Sequence, residues 1–284
     1  MRIGSYEVSV VSDGSYRLDG GSMFGIVPKL LWQRQHPADA DNRIEIALNC
    51  LLVHGMGRNV LIDTGMGDGW SEKELAIYGL KRPDGGLIEN LERTGLRRED
   101  ISDVILTHLH FDHAGGALQF DEGGAPPRPR FPNATYWLQQ ANLRWAESPS
   151  ERDRASYRVE RWEALFDDED RLRLLEGNTE LWPGVSVQVV NGHTPGQQLV
   201  LIGPSDGPRL CYCADLIPMA SHVHLPYIMS FDLNPLITLK EKRDLLVRAV
   251  TDDWTLIFEH DPQIVAAKVE ATLGRFRLAE EVSL

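Results

Sequence analysis

Within six residues, His108-Leu109-His110-Phe111-Asp112-His113 gathers three imidazoles and one carboxylate. Neutral imidazole and carboxylate are the donors that borderline divalent metals such as zinc prefer. The apolar run Val104-Ile105-Leu106 before them reads as a buried strand, and Ala114-Gly115-Gly116 after them allows a turn. Side chains at the mouth of a strand can enter a cleft without disturbing the core behind it. Four such groups together would repel one another and resist desolvation unless a cation neutralised them. The plain alternative is a histidine-rich surface loop.

Three more strand ends argue against that alternative. Val189-Val190-Asn191-Gly192-His193 sets an imidazole directly after a strand, Cys213-Ala214-Asp215 does so with a carboxylate, and Ile257-Phe258-Glu259-His260 adds another imidazole. Five of the nine histidines therefore fall in three strand-terminal loops, a concentration that points to one shared site. Singly, His193, Asp215 or His260 would more often be structural. Jointly with the six-residue motif they read as a metal-ligand constellation.

The elements that must position these groups are legible as hydrophobic patterns. Ser5 to Asp13 alternates as a strand, Asp13-Gly14 signals a turn, and Ser15-Tyr16-Arg17-Leu18 follows. Residues 20–28 form a glycine-rich apolar arm too irregular for a regular element. Ile44 to His54 and Asn59 to Asp63 read as strands joined by Gly55-Met56-Gly57. Ser71 to Tyr78 and Leu87 to Thr94 read as helices, the second stopped by Gly95. Ile101 to Thr107 delivers the histidine motif, Asp121 to Arg130 is a loop, and Thr135 to Gln139 is a strand. Gln140 to Asp170 is charged and helix-prone. Val185 to Val190, Gln198 to Ile202 and Leu210 to Ala214 are strands, Leu239 to Val250 is an amphipathic helix, and Thr255 to Phe258 is a last short strand. No composition break divides the chain, so the expectation is one α/β (α+β) domain over 1–284, built of two packed sheets with helices outside. The arm (about 20–34) and the helical insertion (about 140–170) would be its embellishments.

Composition narrows the function. A formal charge of −13 argues against general affinity for nucleic acid or anionic lipid. Residues 1–7 lack the continuous apolar stretch of a secretion signal, and no run approaches membrane-spanning length. Cys50, Cys211 and Cys213 do not suit a disulfide framework, which leads to a cytoplasmic expectation. Cys211 and Cys213 flank Tyr212 in a strand and would face one side of the sheet. They suit buried small hydrophobes better than metal ligands, whose cysteine pairs usually have two or more intervening residues.

With its His-x-His-x-Asp-His at 108–113, single His193, Asp215, His260 and the segment Leu61-Ile62-Asp63-Thr64-Gly65, the chain resembles the metallo-β-lactamase-fold hydrolase superfamily over nearly its whole length. The resemblance is nearest to the lactonase and methyl-parathion-hydrolase-like branch. It implies a four-layer αβ/βα sandwich of two mixed β-sheets flanked by helices, with metals at one edge of the facing sheets. It further implies two divalent metal ions, most naturally zinc, with manganese, iron and cobalt also accommodated by such donors. His108, His110 and His193 would hold one ion, Asp112, His113 and His260 the other, and Asp215 would bridge them. Asp63 would orient a ligand or its loop, or else simply cap the turn before Thr64-Gly65.

The implied chemistry is hydrolysis of a small ester or lactone by a metal-bridging hydroxide, with Asp112 and Asp215 as the catalytic carboxylates and Asp112 a candidate proton shuttle. A phosphotriesterase using the same ligand set is the nearest alternative. Behind it stand a glyoxalase-II-like thioesterase and a persulfide dioxygenase. A non-catalytic, metal-stabilised binding protein is the alternative of another class, and two open metal positions disfavour it. Similar lactonases and organophosphate hydrolases use arms and insertions to build a dimer, so the partners expected are a small-molecule substrate and a second copy in a homodimer.

Two departures from the family pattern bear on substrate. Lactonases of this superfamily commonly place a tyrosine three residues after the bridging aspartate, where Pro218 stands here. Tyr227, His222 or His224 are candidate substitutes. Many relatives read Gly-His-x-x-Gly-His, whereas Gly192-His193-Thr194-Pro195-Gly196 is followed by Gln197. Met23, Phe24, Ile26, Trp145 and Tyr157 are candidates for an apolar rim.

Overall fold

Hydrophobic side chains on both faces of the same strand dictate the layering. In the computed structural model, which describes residues 1–121, 125–166 and 170–284, strand β3 (Arg43–Gly55) turns Leu51 and Val53 to one side and Cys50 and Leu52 to the other, all buried. Such a strand needs a sheet on one side and helices on the other. The inward set meets Val185, Val187, Val200, Ile202 and Tyr212 from a second sheet. The outward set lies with Leu87 and Leu91 of one helix and Leu143 of another. Burying each such side chain contributes about 1.5–3 kcal/mol, which makes the sheet-to-sheet interface the main adhesive of the fold.

The first sheet joins β1 (Arg2–Ile3), β2 (Tyr6–Asp19), β3, β4 (Arg58–Ile62), β5 (Asp103–Ile105), β8 (Thr135–Gln139) and β9 (Leu172–Leu175) in that order. Its first four strands run antiparallel, and β4, β5, β8 and β9 run parallel. A small hairpin, β6 (Leu118–Gln119) and β7 (Arg128–Pro129), stands apart. The second sheet follows chain order: β10 (Thr179–Trp182), β11 (Val185–Val190), β12 (Gln197–Ile202), β13 (Leu210–Tyr212), β14 (Thr255–Ile257), β15 (Ala266–Thr272) and β16 (Arg275–Glu281). Only β13 and β14 pair in parallel there. Helix α3 (Glu72–Tyr78) follows β4 in the chain, and α4 (Leu87–Arg93) and α6 (Gln140–Glu147) cover the outer face of the first sheet through Leu87, Leu91 and Leu143. Helix α7 (Pro235–Thr251) covers the outer face of the second sheet through Leu245, Leu246 and Ala249. These are the four expected layers.

Five local expectations need correction. Within the expected loop from Asp121 to Arg130, Arg128–Pro129 pairs with β6 as strand β7. Asp13-Gly14 is a bulge inside one long β2, where the register with β3 shifts between Ser12 and Ser15. The buried Asp13 carboxylate accepts from the backbone of Gly67 and Leu87 and from Arg82, so it ties three loops together. Gly14 sits at φ 99°, and a Cβ there would strike the Lys81 carbonyl. The arm contains two short helical turns, α1 (Gly20–Phe24), capped by Asp19 on Ser22 N–H, and α2 (Lys29–Trp32). Their regularity escaped the pattern because each is too short to show a period.

Among the described residues of the insertion only α6 is an α-helix. Ser148-Pro149 ends it, and Asp153, accepting from Trp145 Nε1 and Ser150 Oγ, folds the chain back. Two 3-10 turns follow at 159–161 and 163–166. Residues 167–169 of the expected insertion, and 122–124 of the expected loop, lie outside the described residues. Finally, the last strand is β16 and not Thr255–Phe258. The solvent-facing Lys268, Glu270 and Arg277 obscured the alternation of Ala267 and Val269. Cys211 and Cys213 do face one side, with sulfurs 4.0 Å apart, as buried apolar groups of the α7 layer.

Helix α7 also buries Lys242 completely, its Nζ donating to the carbonyls of Tyr227 at 2.6 Å and His224 at 3.2 Å. Burial pushes this amine down to about 7. Between there and its ordinary value the unfolded chain binds a proton that the folded chain does not, so stability rises with pH through that window. Lys242→Met is therefore expected to flatten the rise in urea-unfolding free energy from pH 7 to about 9.5, by as much as ~1.4 kcal/mol per pH unit. An unchanged slope would contradict the buried-amine account.

Candidate metal centre

The parallel strands place the candidate residues on one edge. His108 and His110 occupy the loop after β5, and Asp112 and His113 the single turn α5 (Phe111–Ala114) that follows. His193 follows β11, Asp215 follows β13, and His260 follows β14. All seven side chains are buried, and the structure brings all seven together.

They divide into two groups that face the two oxygens of one carboxylate. In the first, His110 Nδ1 lies 2.9 Å from His108 Nε2 and 3.1 Å from His193 Nε2, and Asp215 Oδ2 is 3.1 Å from His193 Nε2. In the second, His260 Nε2 is 3.2 Å from His113 Nε2, 3.7 Å from Asp112 Oδ2 and 3.1 Å from Asp215 Oδ1. Ring nitrogens that point at one another repel when both present lone pairs. Two nitrogens about 2.0–2.1 Å from one tetrahedral ion stand about 3.3 Å apart, close to the spacing seen. Asp215 Oδ1 is buried with no hydrogen-bond donor from the protein. The donor types, their spacing and this orphaned oxygen all fit divalent metal ions.

Electrostatics alone leaves the cluster divided. Burial, then neighbouring imidazoles, holds His108 and His110 well below their ordinary range. Burial would also depress His260, but Asp215 and Glu259 lift it to about 9. Burial raises Asp215, and His193, His113 and His260 more than offset this, so it stays ionised.

The outward nitrogens of four rings are also engaged, which fixes ring orientation. His193 Nδ1 meets Asp232 at 2.8 Å, His260 Nδ1 the Ala47 carbonyl at 2.8 Å, His108 Nδ1 the Thr107 hydroxyl at 3.0 Å, and His113 Nδ1 meets Asp63 at 3.0 Å. Asp63 is thus more than a turn cap. In a left-handed conformation (φ 55°), it also accepts from Thr107 N–H and Oγ at 2.7 Å each.

Sequence reasoning missed Thr107, Asp232, Tyr16 and Glu259. Tyr16 reaches in from β2 and donates to Asp112 Oδ2 at 2.5 Å, with burial and then Asp112 raising its phenol well above the usual range. Its inward position in an alternating strand was the available signal. Glu259 directly precedes His260 and is fully buried, its carboxyl pushed up by burial to about 7. Asp232 stands in a loop without any periodic cue.

A cavity of about 340 Å³ opens over the two groups, with Tyr16, Met23, Phe111 and Met229 among its walls. Of the expected rim residues, Met23 lines it. Phe24 instead stacks between Trp32 and His222, Ile26 faces solvent, Trp145 bonds Asp153, and Tyr157 pairs with Thr194 while its ring packs edge-on to His110. Tyr227, His222 and His224 do not line it either, and His222 Nε2 is engaged with the Met23 carbonyl. The phenols at this cavity are Tyr16 and Tyr78, and of the two it is Tyr16 that bonds Asp112.

Both departures from the family pattern have structural partners. The Pro218 carbonyl accepts from His260 N–H at 3.0 Å. Gln197, with its amide oxygen turned inward, accepts from the backbone N–H of Asp215 and of Leu216, each at 3.1 Å.

A family model described as the metallo-beta-lactamase superfamily matches residues 45–260, a span that holds all seven side chains. The chain belongs to that superfamily. It is similar to an N-acyl homoserine lactonase of Bacillus cereus, 29% identical over 170 residues, which are 57% of this chain and 60% of that protein. Among solved structures it is similar to a probable metal-dependent hydrolase from Staphylococcus aureus, with TM-score 0.85, 28% identity and coverage of 99% of this chain and all of that one. It also shares the fold of AidC, a dizinc quorum-quenching lactonase in complex with a product, with TM-score 0.80, 22% identity and coverage of 100% and 97%. The chain spans about three-fifths of the length of the lactonase relative.

Gln197→Leu strands the buried N–H of Asp215 and leaves the Leu216 N–H only its bond to the Cys213 carbonyl at 3.2 Å. It is expected to cost about 1–3 kcal/mol in urea unfolding, with Gln197→Glu closer to wild type because it keeps the acceptor. Equal stability of Gln197→Leu and wild type would refute this bracing of Asp215.

Proposed function

We propose that the protein is a dinuclear metal-dependent hydrolase of small esters or lactones. The observation that carries this reading is Asp215, whose two oxygens face two separate groups of three candidate ligands. His108, His110 and His193 would hold one divalent ion, and Asp112, His113 and His260 the other, with Asp215 shared. Such a pair supplies an activated hydroxide at neutral pH and an electrophile for a carbonyl oxygen. The all-imidazole-and-carboxylate donor set supports zinc, and the dizinc AidC neighbour is in keeping with it.

The chain's own residues supply binding and proton handling. Met23, Phe111 and Met229 give the cavity apolar walls that suit a neutral substrate. Tyr16 Oη lies against Asp112 at the same cavity, so a proton held between them is placed to reach a leaving alkoxide. The lactonase relative supports a lactone over other esters.

In this reading residues 1–284 act as one domain. The exposed Ile26, Leu30 and Leu31 of the arm support a homodimer, and three free buried cysteines support a cytoplasmic setting. No helix among the described residues is long and apolar enough to cross a membrane.

Metal-stripped protein, reloaded with zinc, manganese, iron or cobalt, is to be assayed on matched lactones, esters, thioesters and phosphotriesters. The reading expects two ions per chain and the highest kcat/KM on lactones. A higher kcat/KM on phosphotriesters would shift the assignment to that class, and activity that survives chelation would end it. Asp112→Asn is expected to lower kcat by about 10²–10⁴ while metal content falls less. Parallel loss of both would leave Asp112 only a ligand role. Tyr16→Phe is expected to lower kcat about tenfold with two ions retained, and full activity would remove Tyr16 from the proton path.

A further inference from the structure

Glu259 is fully buried beneath the metal centre, and neither of its carboxylate oxygens receives a well-aligned hydrogen bond. Its Oε2 lies 2.9 Å from His113 Nδ1, the atom that also stands 3.0 Å from Asp63 Oδ2. One ring N–H is therefore bracketed by two carboxylates. Asp63 has other donors, because both its oxygens accept from Thr107. Glu259 has none, and the nearby Tyr212 hydroxyl is engaged with the Asn49 carbonyl. A carboxylate in a dry interior without donors costs stability that packing does not repay. An amide or apolar side chain of this length would fill the same space at lower cost. A residue that weakens the metal-free fold in this way is explained by what it does when the site is loaded.

We propose that Glu259 is a positioning residue for the metal position formed by Asp112, His113 and His260. While Asp63 takes the Nδ1–H of His113, Glu259 lies beside that nitrogen and backs the imidazole with negative charge, which makes Nε2 a stronger donor to a divalent ion. The effect is local. His108 faces only the Thr107 hydroxyl, His260 a backbone carbonyl and His193 the single carboxylate of Asp232. His113 alone among the four is backed by two carboxylates. This inference rests on the two-ion reading above.

The test is release of zinc from fully loaded protein to a chromogenic chelator, with stoichiometry from elemental analysis and melting curves of the metal-free forms. Wild type is expected to hold two ions and release them in two phases, one of which is absent from His260→Ala. In Glu259→Gln that phase is expected to run about 10–100-fold faster, and the other to keep its rate. Metal-free Glu259→Gln and Glu259→Met are expected to melt at or above the metal-free wild type. Unaltered release, equal acceleration of both phases, or metal-free variants that melt well below wild type would overturn the assignment. A wild type that holds a single ion would overturn the two-ion reading and this inference with it.

Discussion

Five imidazoles and two carboxylates lie in a nearly dry interior with their ring nitrogens turned toward one another at about van der Waals contact or closer. No distribution of protons satisfies all of them. A proton placed between His108 and His110 leaves His193 facing a lone pair, and ionised Asp215 cannot balance every ring it meets. Cations resolve this, because a divalent ion accepts lone pairs from several directions and tolerates the adjacent negative charge. The rest of the molecule can be understood as the apparatus that holds these groups in such an arrangement.

That apparatus is the pair of facing sheets. Strands β5, β11, β13 and β14 stop on the same edge, so short loops suffice to bring distant parts of the sequence within a few ångströms. Rigid strand ends locate side chains better than mobile loops do, and the loops are then pinned from behind. Asp63 ties the loop after β5 through Thr107, Gln197 ties the turn after β13, and the Pro218 carbonyl ties His260. Asp13 performs a similar service farther out, joining β2 to the Gly67 loop and to the start of α4.

The residues that meet at the centre were legible in sequence because each follows an apolar run long enough to identify a strand. Periodicity also located β3, β8, β11 and most of α7 to within a few residues. What failed was short or compensated. The turns α1 and α2 never complete a hydrophobic period, and β15 and β16 hide their alternation behind charged outer faces. Helical propensity across the insertion was overridden by Pro149 and by the Asp153 contacts. The supporting residues were harder still, since Asp232, Tyr16 and Glu259 act through partners that only the tertiary structure brings near. Glu259 was in plain view beside His260, yet adjacency says nothing about which ring it backs.

The central claim is that one shared carboxylate separates two occupied metal positions, and anomalous scattering from crystals grown with zinc tests it most directly. The account predicts two peaks about 3.5–4 Å apart, one beside His108, His110 and His193, the other beside Asp112, His113 and His260, with an oxygen of Asp215 directed at each. A single peak, or peaks only at surface carboxylates, would contradict it.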